Sequence, residues 1–220
     1  MLDDADPKTI APGVFDGAFQ NSGQVCLAIK RLCVHEKVYD QVCDELAAIA
    51  NSTVVDHGMK QGAKLGQLQN KMQYEKVKGF LDAAHKHGKV IAGGKPMDRP
   101  DYFIEPTIVR DLAEGSRLVD EEQFGPVLPV IKHSELADVV ARANNTPYGL
   151  GASVWGSDHK RAYEVARSLD SGTVWINEHL DVAPNAPFGG AKQSGIGVEF
   201  AEEGLAEFTQ LQIVNAPPAA

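Results

Sequence analysis

Gly151-Ala-Ser-Val-Trp155 and Gly172-Thr-Val-Trp-Ile176 enclose the stretch that decides the fold. Both runs are short and apolar, carry β-branched and aromatic residues, and open on glycine, the signature of strands bounded by turns. His159 to Leu169 between them reads as a helix, so the stretch is a β-α-β unit. A crossover of that kind joins strands running in the same direction. Strands of unbroken apolar character are buried on both faces, and the fold class this predicts is α/β: a largely parallel twisted sheet flanked by helices.

The same alternation extends outward in both directions. Toward the N-terminus, Pro7 to Ala18 reads as a helix with Ile10, Val14 and Phe15 on its inner side. Arg31-Leu-Cys-Val-His35 reads as a strand, Tyr39 to Ala50 as a helix, and Asp56 to Asn70 as a long surface connection. Lys71 to His87 is a helix with an inner stripe of Tyr74, Val77, Leu81 and Ala84, stopped by Gly88. Strands follow at Lys89–Gly93, at Tyr102–Val109 with an interruption at Pro106, and at Gly125–Ile131. Ser134 is the expected N-cap of a helix ending near Asn144-Asn145. Beyond the β-α-β unit, Phe188-Gly-Gly190 and Ser194-Gly-Ile-Gly197 read as loops, Glu202–Phe208 as a helical piece and Leu211–Asn215 as a strand-like tail.

Composition narrows the function. The chain has 21 Lys and Arg against 30 Asp and Glu, a net charge of −9, and no long basic run, so nucleic acid and anionic membrane are not expected partners. No apolar stretch approaches membrane-spanning length and the N-terminus is acidic, which points to a soluble, cytoplasmic protein. Cys26, Cys33 and Cys43 lack CxxC or CxxH spacing, so neither a disulfide framework nor a metal site is expected.

Cys26 stands out for its setting. In Phe19-Gln-Asn-Ser-Gly-Gln-Val-Cys26, Asn21, Ser22 and Gly23 break the apolar pattern of the first helix and bend the backbone, presenting the thiol at the lip of the next element. Backbone N–H groups at such a turn favour a thiolate and hold a nearby oxyanion. Ser22-Gly-Gln-Val-Cys26 resembles the nucleophile segment of the NAD(P)-dependent aldehyde dehydrogenases. Four more segments resemble that family in order: Glu121-Glu-Gln-Phe-Gly-Pro126, Asn144-Asn-Thr-Pro-Tyr-Gly-Leu150, Gly172-Thr-Val-Trp-Ile-Asn177 and Pro187-Phe-Gly-Gly-Ala-Lys-Gln-Ser-Gly195.

The resemblance implies roles for particular residues. Cys26 would be the nucleophile and Glu199 a glutamate facing the catalytic cavity. Glu122 would bind the nicotinamide ribose and Phe124 would flank the nicotinamide. Gln73 and Lys76 would touch the cofactor, NAD or NADP, and Phe188 would line the substrate tunnel. Residues 1–206 would form the catalytic domain and 207–220 a C-terminal oligomerisation strand and tail that extends the sheet of a neighbouring homologous or complementary chain. The substrate would be a small-molecule aldehyde, oxidised to a carboxylic acid through a thioester on Cys26.

The family's upstream dinucleotide-binding domain, its oxyanion-hole asparagine and its glutamate general base have no counterpart here, and no glycine-rich phosphate loop replaces them; Gly195-Ile-Gly197 lacks the third glycine. Weak cofactor binding and an incomplete catalytic cycle are therefore expected of the chain by itself. Two other functions remain open at this level: a non-catalytic interaction or regulatory fragment associating with homologous subunits, and a cofactor-independent thiol esterase, for which no histidine is singled out.

Overall fold

The computed structural model describes residues 1–218. The chain begins with helix α1 (Pro7–Phe19), whose N-cap Asp6 accepts from the Lys8 N–H and bonds the Thr9 hydroxyl, with Pro7 at the first helical position where its missing donor is harmless. A short 3-10 turn (Gln20–Gly23) ends it. Strand β1 (Leu32–His35), helix α2 (Glu36–Ser52), helix α3 (Lys71–His87), and strands β2 (Lys89–Ala92) and β3 (Thr107–Arg110) follow. Then come the short helix α4 (Arg117–Asp120), strand β4 (Val127–His133) and helix α5 (Leu136–Asn144).

These strands form one sheet in the order β1-β4-β3-β2, with β4 parallel to both β1 and β3, and β2 antiparallel at the edge. Successive side chains on a strand point to opposite faces, and the core divides accordingly. Ile108, Leu128 and Val130 join Phe15 and Phe19 of α1 and Val42 and Leu46 of α2 on one face. Val109, Val127 and Ile131 join Val77, Phe80 and Leu81 of α3 on the other. Helices thus cover both faces, which is why the strands carry no polar alternation.

The remainder holds the two-residue strand β5 (Tyr148–Gly149), then β6 (Gly151–Val154), α6 (His159–Ala166) and β7 (Thr173–Ile176), with β6 and β7 parallel as the β-α-β reading requires. Leu2, Val154, Ala162 and Val165 form its small core. Three more two-residue strands, β8 (Phe188–Gly189), β9 (Ala191–Lys192) and β10 (Val198–Glu199), precede helix α7 (Ala201–Ala206). The first residues bridge the two parts: Met1 bonds Cys33 and His35 through its ammonium and carbonyl, and the Leu2 N–H donates to the Trp155 carbonyl.

Several expectations need correcting. Phe188-Gly-Gly190 is not all loop, since β8 pairs with β10 and β9 with β5; two-residue ribbons leave no periodicity to read. The strand expected from Tyr102 starts only at Thr107, because Pro106 has no N–H to donate, and Ile104 makes an isolated bridge to Pro96. Glu135 rather than Ser134 caps α5, without a side-chain hydrogen bond. Residues 210–218 form neither helix nor strand, although Leu211, Ile213 and Val214 lie exposed there; residues 219 and 220 of the anticipated tail lie outside the described residues.

Tyr39 fastens α2 to the sheet. Its hydroxyl donates to the Val130 carbonyl at 3.0 Å and accepts from the Asp111 N–H at 2.9 Å, with the ring fully buried, and that burial pushes the phenol well above its usual range. Tyr39→Phe leaves both backbone groups without this partner and is expected to lower stability by about 1–3 kcal/mol in thermal or urea unfolding. An unchanged midpoint would show the hydroxyl to be idle.

Candidate active site

The nucleophile candidate sits on a backbone that the sequence bends by force. Asn21, Ser22 and Gly23 take φ of 50°, 56° and 74°, three consecutive left-handed residues, which non-glycine side chains resist. Side-chain bonds stabilise the bend. Ser22 Oγ donates to the Gly66 carbonyl at 2.7 Å and accepts its N–H at 3.1 Å, anchoring the turn to the 56–70 connection. Asn21 and Gln24 exchange side-chain-to-carbonyl bonds at 3.1 Å, and the Gln24 amide oxygen accepts from Gln69 N–H. Cys26 then occupies a turn closed by the Ala28 N–H on the Val25 carbonyl, and its side chain is exposed.

Glu122 and Phe124 approach from the loop before β4. Gln123 between them is buried and turns its amide inward, donating to the Leu118 and Lys30 carbonyls, which leaves Glu122 directed to solvent. Phe124 has φ 49°, and its carbonyl and that of Gln123 each accept from the Gln73 side chain at 2.8 Å. Gln73 therefore braces the Phe124 loop from the first turn of α3. Lys76, one turn on, is exposed with its ammonium 5.9 Å from the Phe80 ring centroid.

The two loops touch main chain to main chain. A Cβ on Gly23 would lie 2.3 Å from the Gly125 carbonyl oxygen, and one on Gly125 would lie 2.5 Å from Val77 of α3. Only glycine at both places lets the cysteine turn settle on the Phe124 loop. Lys30 reinforces the junction, donating to the Gly23 carbonyl at 2.9 Å while its ammonium stands 4.9 Å from the Phe124 ring centroid.

A cavity of about 520 Å³ opens beside this junction, lined among others by Cys26, Lys30, Glu122, Tyr148 and His179. That volume suits a small organic ligand. His179 holds the residue after the nucleophile: its Nε2 bonds the Leu27 carbonyl at 2.7 Å, and since a carbonyl only accepts, Nε2 carries the proton. Burial pushes the His179 pKa down, so the ring is neutral, and its Nδ1 is buried with no partner. Neither Phe188 nor Glu199 lines this cavity. They face each other across the β8–β10 ribbon instead, as a second group.

The structure thus brings Cys26 and Glu122 into one cavity; Phe124 does not line it and meets it only through the Lys30 ammonium over its ring, while Gln73 braces the Phe124 loop from behind. It gives Phe188 and Glu199 a separate setting, and leaves Lys76 at the exposed rim. Lys30 escaped the sequence reading, its signal being a lysine inside the apolar run Leu27-Ala-Ile-Lys-Arg-Leu32. The Glu178-His-Leu-Asp181 loop, which the family resemblance implies lines the substrate tunnel, supplies His179 to the cavity. Among the described residues no group of three or more His, Cys, Asp or Glu could hold a metal ion, and no helix is long and apolar enough to cross a membrane.

Residues 1–214 match the Aldehyde dehydrogenase family. Aldehyde dehydrogenase 1A1 of Bos taurus is 38% identical over 213 residues, covering 96% of this chain and 42% of that protein. Phenylacetaldehyde dehydrogenase of Pseudomonas fluorescens is 40% identical, covering 95% of this chain and 42% of its own length. The structure of an aldehyde dehydrogenase from Bacillus cereus in complex with NAD+ superposes with a TM-score of 0.92 at 39% identity, over 96% of this chain and 43% of that one. The chain spans less than half the length of these relatives.

Proposed function

The chain belongs to the aldehyde dehydrogenase family, and from that premise we propose that it carries the nucleophile and the nicotinamide-facing part of a site that oxidises an aldehyde to a carboxylic acid. The observation that carries the reading is an exposed thiol on a forced turn, opening on the same cavity as Glu122 and joined by main-chain contact to the Phe124 loop.

Cys26 as thiolate attacks the aldehyde carbon; a C–S bond forms and the carbonyl π pair moves to oxygen, where backbone N–H groups of the turn stabilise it. The hydride acceptor for this carbon would be supplied by NAD(P)+, held at its nicotinamide end by Glu122 and Phe124. A thioester remains on Cys26, and water opens it while a carboxylate takes the water's proton. Across the β8–β10 ribbon, Phe188 is our candidate for a wall of the aldehyde tunnel and Glu199 for a carboxylate facing the wider catalytic cavity; neither lines the cavity of Cys26, so the water's proton is not assigned to Glu199. The chain's own donors fit one end of the cofactor. Glu122 offers a carboxylate to ribose hydroxyls and Phe124 an aromatic face to the nicotinamide, with Gln73 bracing that loop and Lys76 at the rim. These residues reach only the nicotinamide end of the cofactor, and weak binding by this chain by itself is part of our reading.

Acylation and turnover should therefore separate. An activated ester such as p-nitrophenyl acetate should leave an acetyl mass on Cys26 in the intact chain and none at that position in Cys26→Ser. NAD(P)+-dependent aldehyde oxidation by the chain alone should not exceed that of Cys26→Ser. An unmodified Cys26 would overturn the nucleophile assignment.

A specific observation favours an associated form. Phe208, Leu211, Ile213 and Val214 are 77–89% exposed on a tail without secondary structure, and apolar side chains so placed gain from a sheet edge on another chain. We assign the tail to contact with a second copy or a homologous subunit, in the cytoplasm; a monodisperse monomer in solution scattering would contradict this.

A further inference from the structure

We infer that His179 is a positioning residue for the reaction at Cys26: its Nε2–H bond to the Leu27 carbonyl locks the turn that carries the thiol and holds that turn's free N–H groups in place for the oxygen of a carbonyl under attack. This rests on the reading of Cys26 as nucleophile.

Val25 to Ala28 form a four-residue turn closed by the Ala28 N–H on the Val25 carbonyl at 3.0 Å, with Cys26 and Leu27 at its centre. The Leu27 carbonyl and the Ala28 N–H belong to one planar peptide unit. That unit is held at both ends, its N–H by Val25 and its carbonyl by His179 at 2.7 Å, so rotating it breaks both bonds at once. Two residues on from Leu27, the Ile29 N–H donates to the Gly17 carbonyl of α1 at 2.9 Å. By contrast, among the described residues the Cys26 and Leu27 N–H groups have no backbone acceptor. They are the unspent donors of the turn, and one belongs to the nucleophile itself.

The histidine is itself built into place. Its ring meets Trp175 edge-on with centroids 4.9 Å apart, and the Trp175 indole N–H donates to the Asp181 carbonyl at 2.7 Å, tying together the two ends of the segment that carries the ring. Helix α1 closes the other side: a Cβ on Gly17 would lie 3.0 Å from His179 Cδ2. A neutral imidazole has one donor, and here it is spent on Leu27, while Nδ1 is buried with no partner. A histidine that takes a proton from the reaction needs a nitrogen open to it. In His179 one nitrogen is engaged and the other enclosed, so its effect reaches Cys26 through the peptide alone.

Two reactions of Cys26 in the whole chain separate this role from a plain structural one. p-Nitrophenyl acetate acetylates the sulfur through an oxyanion: the C–S bond forms, the carbonyl π pair moves to oxygen, and its return expels p-nitrophenolate. Iodoacetamide alkylates the same sulfur by displacement of iodide from a saturated carbon, with no oxyanion. Both rates are read at Cys26 by peptide mass spectrometry, so that Cys33 and Cys43 do not contribute. His179→Phe, which keeps a ring but no donor, is expected to slow acetylation by about 10-fold and alkylation by less than about 2-fold. His179→Gln, whose amide donates in place of Nε2, should recover most of the acetylation rate. Equal loss in both reactions, or no loss in acetylation, would overturn the proposal.

Trp175→Phe covers the case in which His179→Phe fails to fold. It keeps an aromatic edge but removes the N–H on the Asp181 carbonyl, loosening the segment that aims His179. Acetylation should fall by about 3-fold with alkylation unchanged, and an unaltered ratio of the two rates would overturn the proposal equally. Neither readout needs aldehyde turnover. Alkylation of Cys26 in the parent chain without acetylation would sink the reading of Cys26 as nucleophile, whereas acetylation of the parent with the same rate ratio in every variant would sink only the role of His179.

Discussion

Gly23→Ala is expected to lower the stability of the chain by about 3–5 kcal/mol, the range of a serious backbone clash added to left-handed strain. Gly23 has φ +74°, and the added methyl would meet the Gly125 oxygen at 2.3 Å and its carbonyl carbon at 2.7 Å. Both are main-chain atoms, so no rotamer change relieves the overlap. The Phe124 loop cannot retreat either, because Gly125 already lies against Val77, and the preceding Asn21 and Ser22 have no further left-handed freedom to give. Urea unfolding measures the effect. Gly58→Ala is the control: nothing lies within 4 Å of its added methyl and the site is exposed, so its change should stay within about 0.5 kcal/mol. A Gly23→Ala chain as stable as the control would mean the two loops do not touch as described.

The second large effect is a loss of stability on mild acidification, centred on His133. This residue is 5% exposed on the last position of β4; its Nε2 bonds the Met1 carbonyl at 3.1 Å, its ring meets His35 edge-on, and its Nδ1 is buried without a partner. Burial, with help from the Met1 ammonium, lowers its pKa from 6.5 to about 4. The folded chain therefore binds this proton more weakly than the unfolded chain. The stabilisation is complete above pH 6.5 and disappears as pH falls through about 4, an effect of about 3 kcal/mol for the full shift. His179, also lowered by burial, adds to the same slope. Asp3, held well below the usual carboxylate range by Arg161 and Lys37, acts in a separate window, its contribution lost only below pH 3.8. Unfolding free energies at pH 7 and pH 4.5 should differ accordingly, and His133→Gln should flatten most of that difference. An equal slope in His133→Gln would place the titrating group elsewhere.

How much of this was legible in advance follows from the range over which each signal acts. The β-α-β unit at 151–176 and the helix at 71–87 were readable because burial of one face imposes a period on neighbouring residues. The cysteine turn was readable because Asn21, Ser22 and Gly23 are local conformational specialists. Strand β3 was overextended because apolar Phe103 and Ile104 are buried without joining the sheet, with Pro106 between them and the ladder. Lys30 was invisible for the opposite reason: its meaning depends on Gly23 and Phe124 converging in space, and nothing in Leu27-Ala-Ile-Lys-Arg announces a distant aromatic. The separation of Glu199 and Phe188 from the Cys26 cavity was equally hidden, since β8 and β10 are only two residues each.

The junction of Gly23 with Gly125 has a consequence for how such a site can change over time. Where two peptide planes rest on each other, the interval between the segments they belong to is a ruler made of bond lengths, indifferent to which side chains surround it. Pocket walls can then be exchanged freely to admit a longer, branched or charged guest while the reacting centre keeps its gauge, so that new specificities arise without re-inventing the chemistry.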